Sequence, residues 1–127
     1  MPQSYRVDAG QRVVVSRVWG EVTTNDITEH YRAIRNDPVF EPSFNHLVDI
    51  RAVTAVRADA HAIRSGATNG VFARGAMRAL IAPPGFLYGI ARMFAASAEA
   101  EGQIVSIFEA PQLAEAWLGV ATGAAAS

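Results

Sequence analysis

The chain has 127 residues, half of them hydrophobic, so it is long enough for one domain whose core needs no disulfide or structural metal. Its 11 basic residues are all arginine, are scattered along the chain and are balanced by 12 acidic ones to a net charge of −1, which excludes the basic surface of a nucleic-acid-binding protein. The lack of cysteine excludes disulfides, thiolate metal sites and thiol catalysis, and is typical of a reducing compartment.

The ends of the chain carry no recognisable targeting signal. The opening segment MPQSYRVDAG lacks the apolar stretch of a secretory signal peptide. No apolar run reaches the roughly 20 residues that span a membrane. We therefore expect a cytoplasmic protein without a membrane span. The small residues at positions 120–127 predict a frayed tail.

A hairpin and a capped helix open the predicted fold. The runs SYRVD and RVVVSRVWG are rich in strand-forming residues, and Gly10 between them predicts the turn. Thr23 and Asp26 then resemble a capping box at the start of a helix. The loop after this helix carries apolar side chains that we expect beneath the core, namely Val39, Phe40 and Phe44.

Strands and helices then alternate to the end of the chain. Gly102 and Pro111 are typical of a helix end and a helix start, respectively. In chain order, the predicted elements are the strand NHLVDIRAV, the helix RADAHAIRSGATNG, the strand AMRALIA, the helix GFLYGIARMFAASAEAEG, the strand QIVSIF and the helix APQLAEAWLGV.

This order of elements predicts the topology. Strands that alternate with helices are joined by right-handed crossovers between parallel neighbours. The sequence therefore predicts a single α/β domain over residues 1–127, with the order β-β-α-β-α-β-α-β-α. Its mostly parallel five-stranded sheet has the order 1-2-3-4-5, with strand 1 antiparallel at an edge and helices mainly on one face.

Alternation along the strands predicts two different sheet faces. The face beneath the helices is apolar and comprises Val14, Val18, Val48, Ile50, Val105 and Ile107. The opposite face mixes apolar residues with arginines and one carboxylate, and it includes Arg17, Trp19, Asp49, Arg51 and Arg78. Such a mixed face is too apolar for water and too polar for an ordinary core.

The order of elements, with the segments DPVFEPSFNHLVDIRAVT, YGIARMF and AEAWLG, resembles the SpoIIAA-like proteins of the STAS superfamily. That superfamily is often described together with SEC14-type lipid-binding domains. The resemblance covers the chain from about Tyr5 to Gly119. It implies a SpoIIAA-like fold in a bacterial protein, and a regulatory or protein-interaction module rather than an enzyme.

The start of the second predicted helix departs from part of that superfamily. Anti-sigma factor antagonists carry a phosphorylatable Ser or Thr there, whereas this chain has Ala58, Asp59 and Ala60. The resemblance thus implies a module without the phosphoacceptor hydroxyl. Asp59 could mimic a phosphorylated residue. The favoured alternative is a carboxylate that stabilises the helix start by about 0.3–1 kcal/mol.

Asp49 is the one carboxylate in a strongly apolar strand, and a buried carboxylate needs partners. Arg51 points to the same side, and Arg17 or Arg78 could meet Asp49 across the sheet. One interpretation is an anion or ligand site built from Asp49, Arg51 and Arg17. The favoured alternative is a structural ion pair on the sheet or at an oligomer interface.

Two further positions are candidates for ligand or partner contacts. Free N–H groups at the helix that begins near Gly85 could hold an anion at the carboxyl edge of the sheet, with Arg57 beside it. In the same helix, Phe86 and Met93 widen the apolar side beyond what one sheet covers. They either pack against a neighbouring helix, or line an apolar pocket or a partner surface.

The three histidines, His30, His46 and His61, lack the spacing of a metal site. No nucleophile, base and orienting group can be assembled around His61 or Asp49. We therefore predict no metal site, no cofactor and no catalytic residue, and we expect the histidines to be exposed or locally bonded. A hydrolase or transferase is the least favoured function.

Two functions remain. The favoured one is a non-enzymatic STAS-like regulatory or protein-interaction module that forms a homodimer and has a regulatory protein as a further partner. The alternative is a binder of a small apolar or lipid-like ligand. The wide apolar helix and the thin helix beside it, which carries Ala62, Gly66 and Ala67, support this alternative.

Overall fold

A computed structural model of the chain describes residues 2–124. Over this range, the elements follow the predicted order. The strands are β1 (Gln3–Asp8), β2 (Val13–Thr23), β3 (Asn45–Arg57), β4 (Met77–Ile81) and β5 (Ile104–Phe108). The helices are α1 (Thr24–Arg35), α2 (Ala60–Thr68), α3 (Phe86–Ala100) and α4 (Pro111–Leu118).

The five strands form one sheet in the order β1-β2-β3-β4-β5, with β1 antiparallel to β2 and all other neighbours parallel. This confirms the predicted topology. The hairpin turn lies where the sequence placed it, but Arg12, with a φ of 56°, takes the left-handed conformation instead of Gly10. The Asp8 carboxylate stabilises the turn because it accepts from the Gln11 N–H at 3.0 Å.

The strands β2 and β3 are longer than the other strands of the sheet. β3 pairs with β4 only from His46 to Asp49, whereas its pairing with β2 continues to Arg57. Register shifts occur between Arg17 and Trp19 and again after Gly20. Such bulges increase the local twist. The carboxyl ends of β2 and β3 therefore form a twisted two-stranded extension beyond the edge of β4.

The predicted capping box starts α1. The Asp26 N–H donates to Thr23 Oγ1 at 3.2 Å, and the Thr23 N–H donates to Asp26 Oδ2 at 2.8 Å. This pair of bonds satisfies donors that have no partner within the helix. It fixes the first turn of α1 directly after β2, which brings His30 and Tyr31 over the sheet.

The helices lie mainly on one face of the sheet, as predicted. The helices α1, α2 and α3 cover the face of Val14, Ile50 and Leu80, and their buried residues form one hydrophobic cluster with it. The helix α4 follows the last strand and is not a crossover, so its side is not fixed by the handedness rule. It packs on the opposite face, where Ala114 and Leu118 meet Leu47.

Two predictions of side-chain placement are wrong. Arg78 was expected on the same face as Asp49, but its register partner is His46, while Asp49 pairs with Ile81. Because successive residues alternate between faces, Arg78 points to the helix-covered side. Val39 was expected beneath the core and is 48 % exposed.

The other two apolar residues of that loop behave as predicted. Phe44 is 2 % exposed, and Phe40 packs against the main core cluster.

Residues 120–124 are held to the body of the domain: Val120 and Ala124 pack on the α4 face, and the Thr122 N–H donates to Glu115 Oε2 at 2.5 Å. The predicted fraying at residues 125–127 lies outside the described residues. No helix within residues 2–124 is long and apolar enough to cross a membrane.

Candidate functional site

An apolar space of about 120 Å³ lies between the sheet and the three helices α1, α2 and α3. We call it the crevice. Most of its walls are aliphatic side chains from the ends of β2 and β3 and from the first turns of α1 and α3. These include Val22, Ile27, Val53, Val56, Leu87 and Ile90.

The crevice exists because two of its neighbours are small. A Cβ added at Gly66 of α2 would lie 3.0 Å from Ile27 Cγ2 and 3.3 Å from Tyr31 Cε2, so glycine lets α2 approach α1 without displacing these side chains. On the other side, α3 presents Ala91 to the crevice. Neither residue reaches into the space between the helices and the sheet, which therefore stays unfilled.

The crevice opens at the carboxyl ends of the strands. Val22 lies at the end of β2, Val56 at the end of β3, and Leu87 in the first turn of α3. This is the edge at which open α/β sheets bind ligands. The sequence indicated the same edge but pointed to charged residues there, whereas the residues that line the crevice are almost all apolar.

A buried polar chain runs beneath α1, next to the crevice. Ser16 Oγ lies 2.7 Å from His30 Nε2 and 2.8 Å from His46 Nε2, and His46 Nδ1 lies 3.3 Å from Arg78 Nη2. Arginine can only donate, so His46 Nδ1 must be the acceptor. His46 is therefore neutral, with its proton on Nε2, and it donates to Ser16.

Arg78 ends this chain in the centre of the core, where it is 1 % exposed. Nη1 donates to Gln103 Oε1 at 2.9 Å and Nη2 donates to the Tyr31 hydroxyl at 3.0 Å. The rings of Phe72 and Phe94 each lie 4.6 Å from the guanidinium carbon. Within residues 2–124, no carboxylate pairs with Arg78. Neutral dipoles and aromatic faces therefore stabilise its charge.

Burial sets the protonation of the groups around Arg78. It lowers the pKa of His30 from 6.5 to about 4. Burial, together with the charge of Arg78, holds the pKa of His46 well below its usual value. Burial also raises the pKa of Tyr31, although the nearby Arg78 opposes this change. Both histidines are therefore neutral near pH 7, which agrees with the hydrogen-bonding pattern.

The predicted contact between Asp49 and Arg51 is present on the opposite face of the sheet. Arg51 Nε and Nη2 donate to the two carboxylate oxygens of Asp49 at 3.0 and 2.7 Å. Arg17 stands opposite Asp49 in the register but makes no ion pair with it; its guanidinium carbon lies 5.9 Å from the Trp19 ring centre. The structure thus joins two of these three candidate residues.

The charged candidates near the carboxyl edge have local partners. Asp59 is the N-cap of α2 and accepts from the Ala62 N–H at 2.9 Å, as expected of a carboxylate that stabilises a helix start. Arg57 is exposed and forms a salt bridge with Glu21 at 2.8 Å. Neither residue lines the crevice.

The two apolar candidates of α3, Phe86 and Met93, differ in their exposure. Phe86 is 68 % exposed, whereas Met93 is half-buried and packs against the main core cluster. Leu87 and Ile90, which the helical period places on the core side, line the crevice instead.

Sequence reasoning missed the polar chain, although part of it left a signal. His30 falls on the same helical stripe as Ile27, Tyr31 and Ile34. His46 shares the parity of Val48, which places it on the helix-covered face. Its contact with Arg78 depends on the register between β3 and β4, which no local pattern specifies.

His61 is exposed, and within residues 2–124 no group of three acidic or histidine side chains could hold a metal ion.

Comparison with known proteins identifies the fold. No family model and no curated protein matches the sequence. A crystal structure of an uncharacterized DUF3478 family protein with a SpoIIAA-like fold, from Shewanella loihica PV-4, superposes with a TM-score of 0.62 at 16 % identity. The match covers 91 % of this chain and 93 % of that one. The chain therefore has a SpoIIAA-like fold, as the sequence resemblance predicted.

The buried contacts of Arg78 lead to a prediction about stability. Arg78→Met should lower the free energy of unfolding by at least about 2 kcal/mol, because Tyr31, Gln103 and His46 each lose a buried partner. Urea unfolding followed by circular dichroism measures the change. Arg92→Met, at an exposed position of α3, is the matched control and should change stability by less than about 0.5 kcal/mol. Equal stability of the two variants would contradict this role for Arg78.

The burial of His30 leads to a prediction about how the stability of the protein depends on pH. The pKa of His30 is about 4 in the folded protein and 6.5 in the unfolded chain, so between these values only the unfolded chain binds the proton. The stability contributed by neutral His30 is complete above pH 6.5 and is lost as the pH falls towards 4. Between pH 7 and 4, the unfolding free energy of the unsubstituted protein should fall by about 3 kcal/mol more than that of His30→Gln.

Urea unfolding across this pH range measures the difference. His61→Gln, at an exposed position of α2, should keep the pH dependence of the unsubstituted protein. A His30→Gln variant with the same pH dependence as His61→Gln would contradict the prediction.

Proposed function

We propose that this SpoIIAA-like domain binds a small apolar ligand in the crevice and catalyses no reaction on it. The observation that carries the proposal is the lining of the crevice. The side chains around a space of about 120 Å³ are almost all apolar, although the space opens at the edge of the sheet. An open space between packed layers forfeits contacts that a ligand of matching shape would restore.

The size of the crevice indicates the size of the ligand. An engineered apolar cavity of about 150 Å³ in another protein stays dry and binds benzene. Each CH₂ group that a ligand buries contributes about 0.8 kcal/mol. A molecule with about six carbon atoms in the crevice would therefore gain several kcal/mol, and a longer chain would extend through the opening past Leu87.

The position of Ser16, which contacts two histidines, supports a non-enzymatic role. Ser16 lies within hydrogen-bond distance of both His30 and His46, as a nucleophile beside its base would. It is 0 % exposed, however, and is not among the residues that line the crevice. A substrate could not reach its hydroxyl without unfolding of the surrounding layer, so the arrangement favours a structural role.

A second candidate function is self-association as a homodimer through the open part of the α4 face. The helix α4 covers this face near Leu47 but leaves Arg17 and Trp19 exposed, beside the ion pair of Asp49 and Arg51. An exposed tryptophan with an arginine is a composition typical of interaction hot spots. This surface supports the interaction module that the resemblance implies. A cytoplasmic location and a regulatory protein as a further partner belong to the same proposal.

Ligand binding is tested by adding benzene to protein that carries isotope-labelled methyl groups and following their chemical shifts by NMR. Saturable shift changes are expected on the methyl groups of Ile27, Ile63 and Ile90, which line the crevice, and none on those of Leu118 on the other face. Leu87→Trp should fill the opening and weaken binding at least about tenfold, which corresponds to about 1.4 kcal/mol. Leu113→Trp, at a 59 % exposed position of α4, should leave it unchanged.

Two results would contradict this proposal. The first is benzene shifts spread over both core clusters without saturation. The second is native mass spectrometry of protein purified from cells that repeatedly shows no bound small molecule, together with no binding of benzene.

Self-association is tested by sedimentation at micromolar concentration. A dimer is expected, and Trp19→Ser should convert it to a monomer because the aromatic contact is lost. Tyr88→Ser is the matched control, since Tyr88 is similarly exposed, at 39 % against 37 % for Trp19, but lies on α3. A monomeric unsubstituted protein would exclude this second function and leave the ligand proposal unaffected.

A further inference from the structure

Within residues 2–124, one buried acceptor at the crevice has no donor. Gln3 of β1 lines the crevice and is 8 % exposed. Its Nε2 donates to the Asp26 carbonyl oxygen at 3.1 Å, which fixes the orientation of the amide. Its Oε1 has no hydrogen-bond partner in the part of the chain that the structure describes. A buried carbonyl oxygen without a donor costs free energy, so a donor supplied by a ligand would be stabilised there.

His30 supplies a donor at the same crevice. His46 donates to Ser16 Oγ, and among residues 2–124 the other hydrogen-bond partner of this hydroxyl is His30 Nε2, 2.7 Å away. The Ser16 hydrogen has its acceptor there, so the hydroxyl donates to His30 Nε2. His30 therefore carries its proton on Nδ1. Among residues 2–124, the hydrogen bonds of His30 involve Nε2 and not Nδ1. His30 also lines the crevice, so its Nδ1–H is a donor for a ligand.

Both groups line the crevice beside the N-terminal half of α1. The Asp26 carbonyl that holds the Gln3 amide is four residues, or about one helical turn, before His30 in α1. The other polar groups at the crevice have internal partners. The Asp26 carboxylate is held by the capping box, and the Tyr31 hydroxyl is held by Arg78.

We propose that the ligand carries one neutral hydroxyl group, as an alcohol or a phenol does, whose O–H donates to Gln3 Oε1 and whose oxygen accepts from His30 Nδ1–H. This inference rests on the proposed function. A hydroxyl group both donates and accepts, whereas a hydrocarbon does neither. A carboxylate only accepts, and its charge would lose hydration in an apolar space.

The test compares phenol, benzene and benzoate on the same methyl-labelled protein at pH 7. All three probes have the same ring, and they differ in the group that would meet Gln3 and His30. Phenol should bind at least about fivefold more tightly than benzene, because its two hydrogen bonds outweigh the loss of its hydration. Benzoate should give no saturable shifts.

One substitution assigns the preference to Gln3. Gln3→Met keeps the length of the side chain but removes the acceptor, so phenol should lose its advantage while benzene still binds. Gln112→Met, at an exposed position of α4, is the matched control and should keep the preference for phenol. The three probes on the unsubstituted protein test the inference even if Gln3→Met does not fold.

The outcomes separate this inference from the proposed function. If benzene binds as tightly as phenol, the inference that the ligand carries a hydroxyl group is wrong, and the crevice remains a binding site for apolar ligands. Tightest binding of benzoate would overturn it in favour of an anionic ligand. If the unsubstituted protein binds none of the three probes, the proposed function itself fails.

Discussion

A positive charge lies at the centre of this fold, and no carboxylate within residues 2–124 pairs with it. Arg78 stands on β4 and contacts Tyr31 of α1, Phe94 of α3 and Gln103, which directly precedes β5. A buried guanidinium needs dipoles or aromatic faces in place of water. Both Nη atoms of Arg78 have such partners, whereas its Nε has no hydrogen-bond partner among residues 2–124. This requirement specifies how the helices and strands are placed around it more narrowly than apolar packing would. The same requirement keeps His46 neutral, since Arg78 leaves its Nδ1 only the role of acceptor.

The polar chain and the crevice are two parts of one helix–sheet layer. Beneath α1, polar groups are paired with one another, and towards the carboxyl edge the layer becomes apolar and incompletely filled. Gly66 lets α2 approach α1, which closes one side of the space without filling it. The long ends of β2 and β3 provide its floor beyond the edge of β4. A SpoIIAA-like fold thus contains an apolar space whose few polar neighbours are already oriented.

The sequence predicted the elements well because their signals are local. Thr23 and Asp26 start α1 as expected, Gly102 follows the end of α3, and Asp59 caps α2. The strand order also followed, because alternating strands and helices leave few right-handed arrangements. The charged candidates followed less well. Arg51 does bind Asp49, since both lie on one strand with the same parity, but Arg17 and Arg78 depend on pairing between strands.

The sequence by itself determined the order, the caps and the strand parity, because hydrogen bonds and side-chain periods act over a few residues. Only the tertiary structure decided that Arg78 faces His46, and that Gln3 of the first strand meets the first turn of α1. It also decided that a space remains between Ala91, Gly66 and the sheet. Such features arise from the register and spacing of segments far apart in the chain. No local pattern carries that information, since the same residues would suit a filled core equally well.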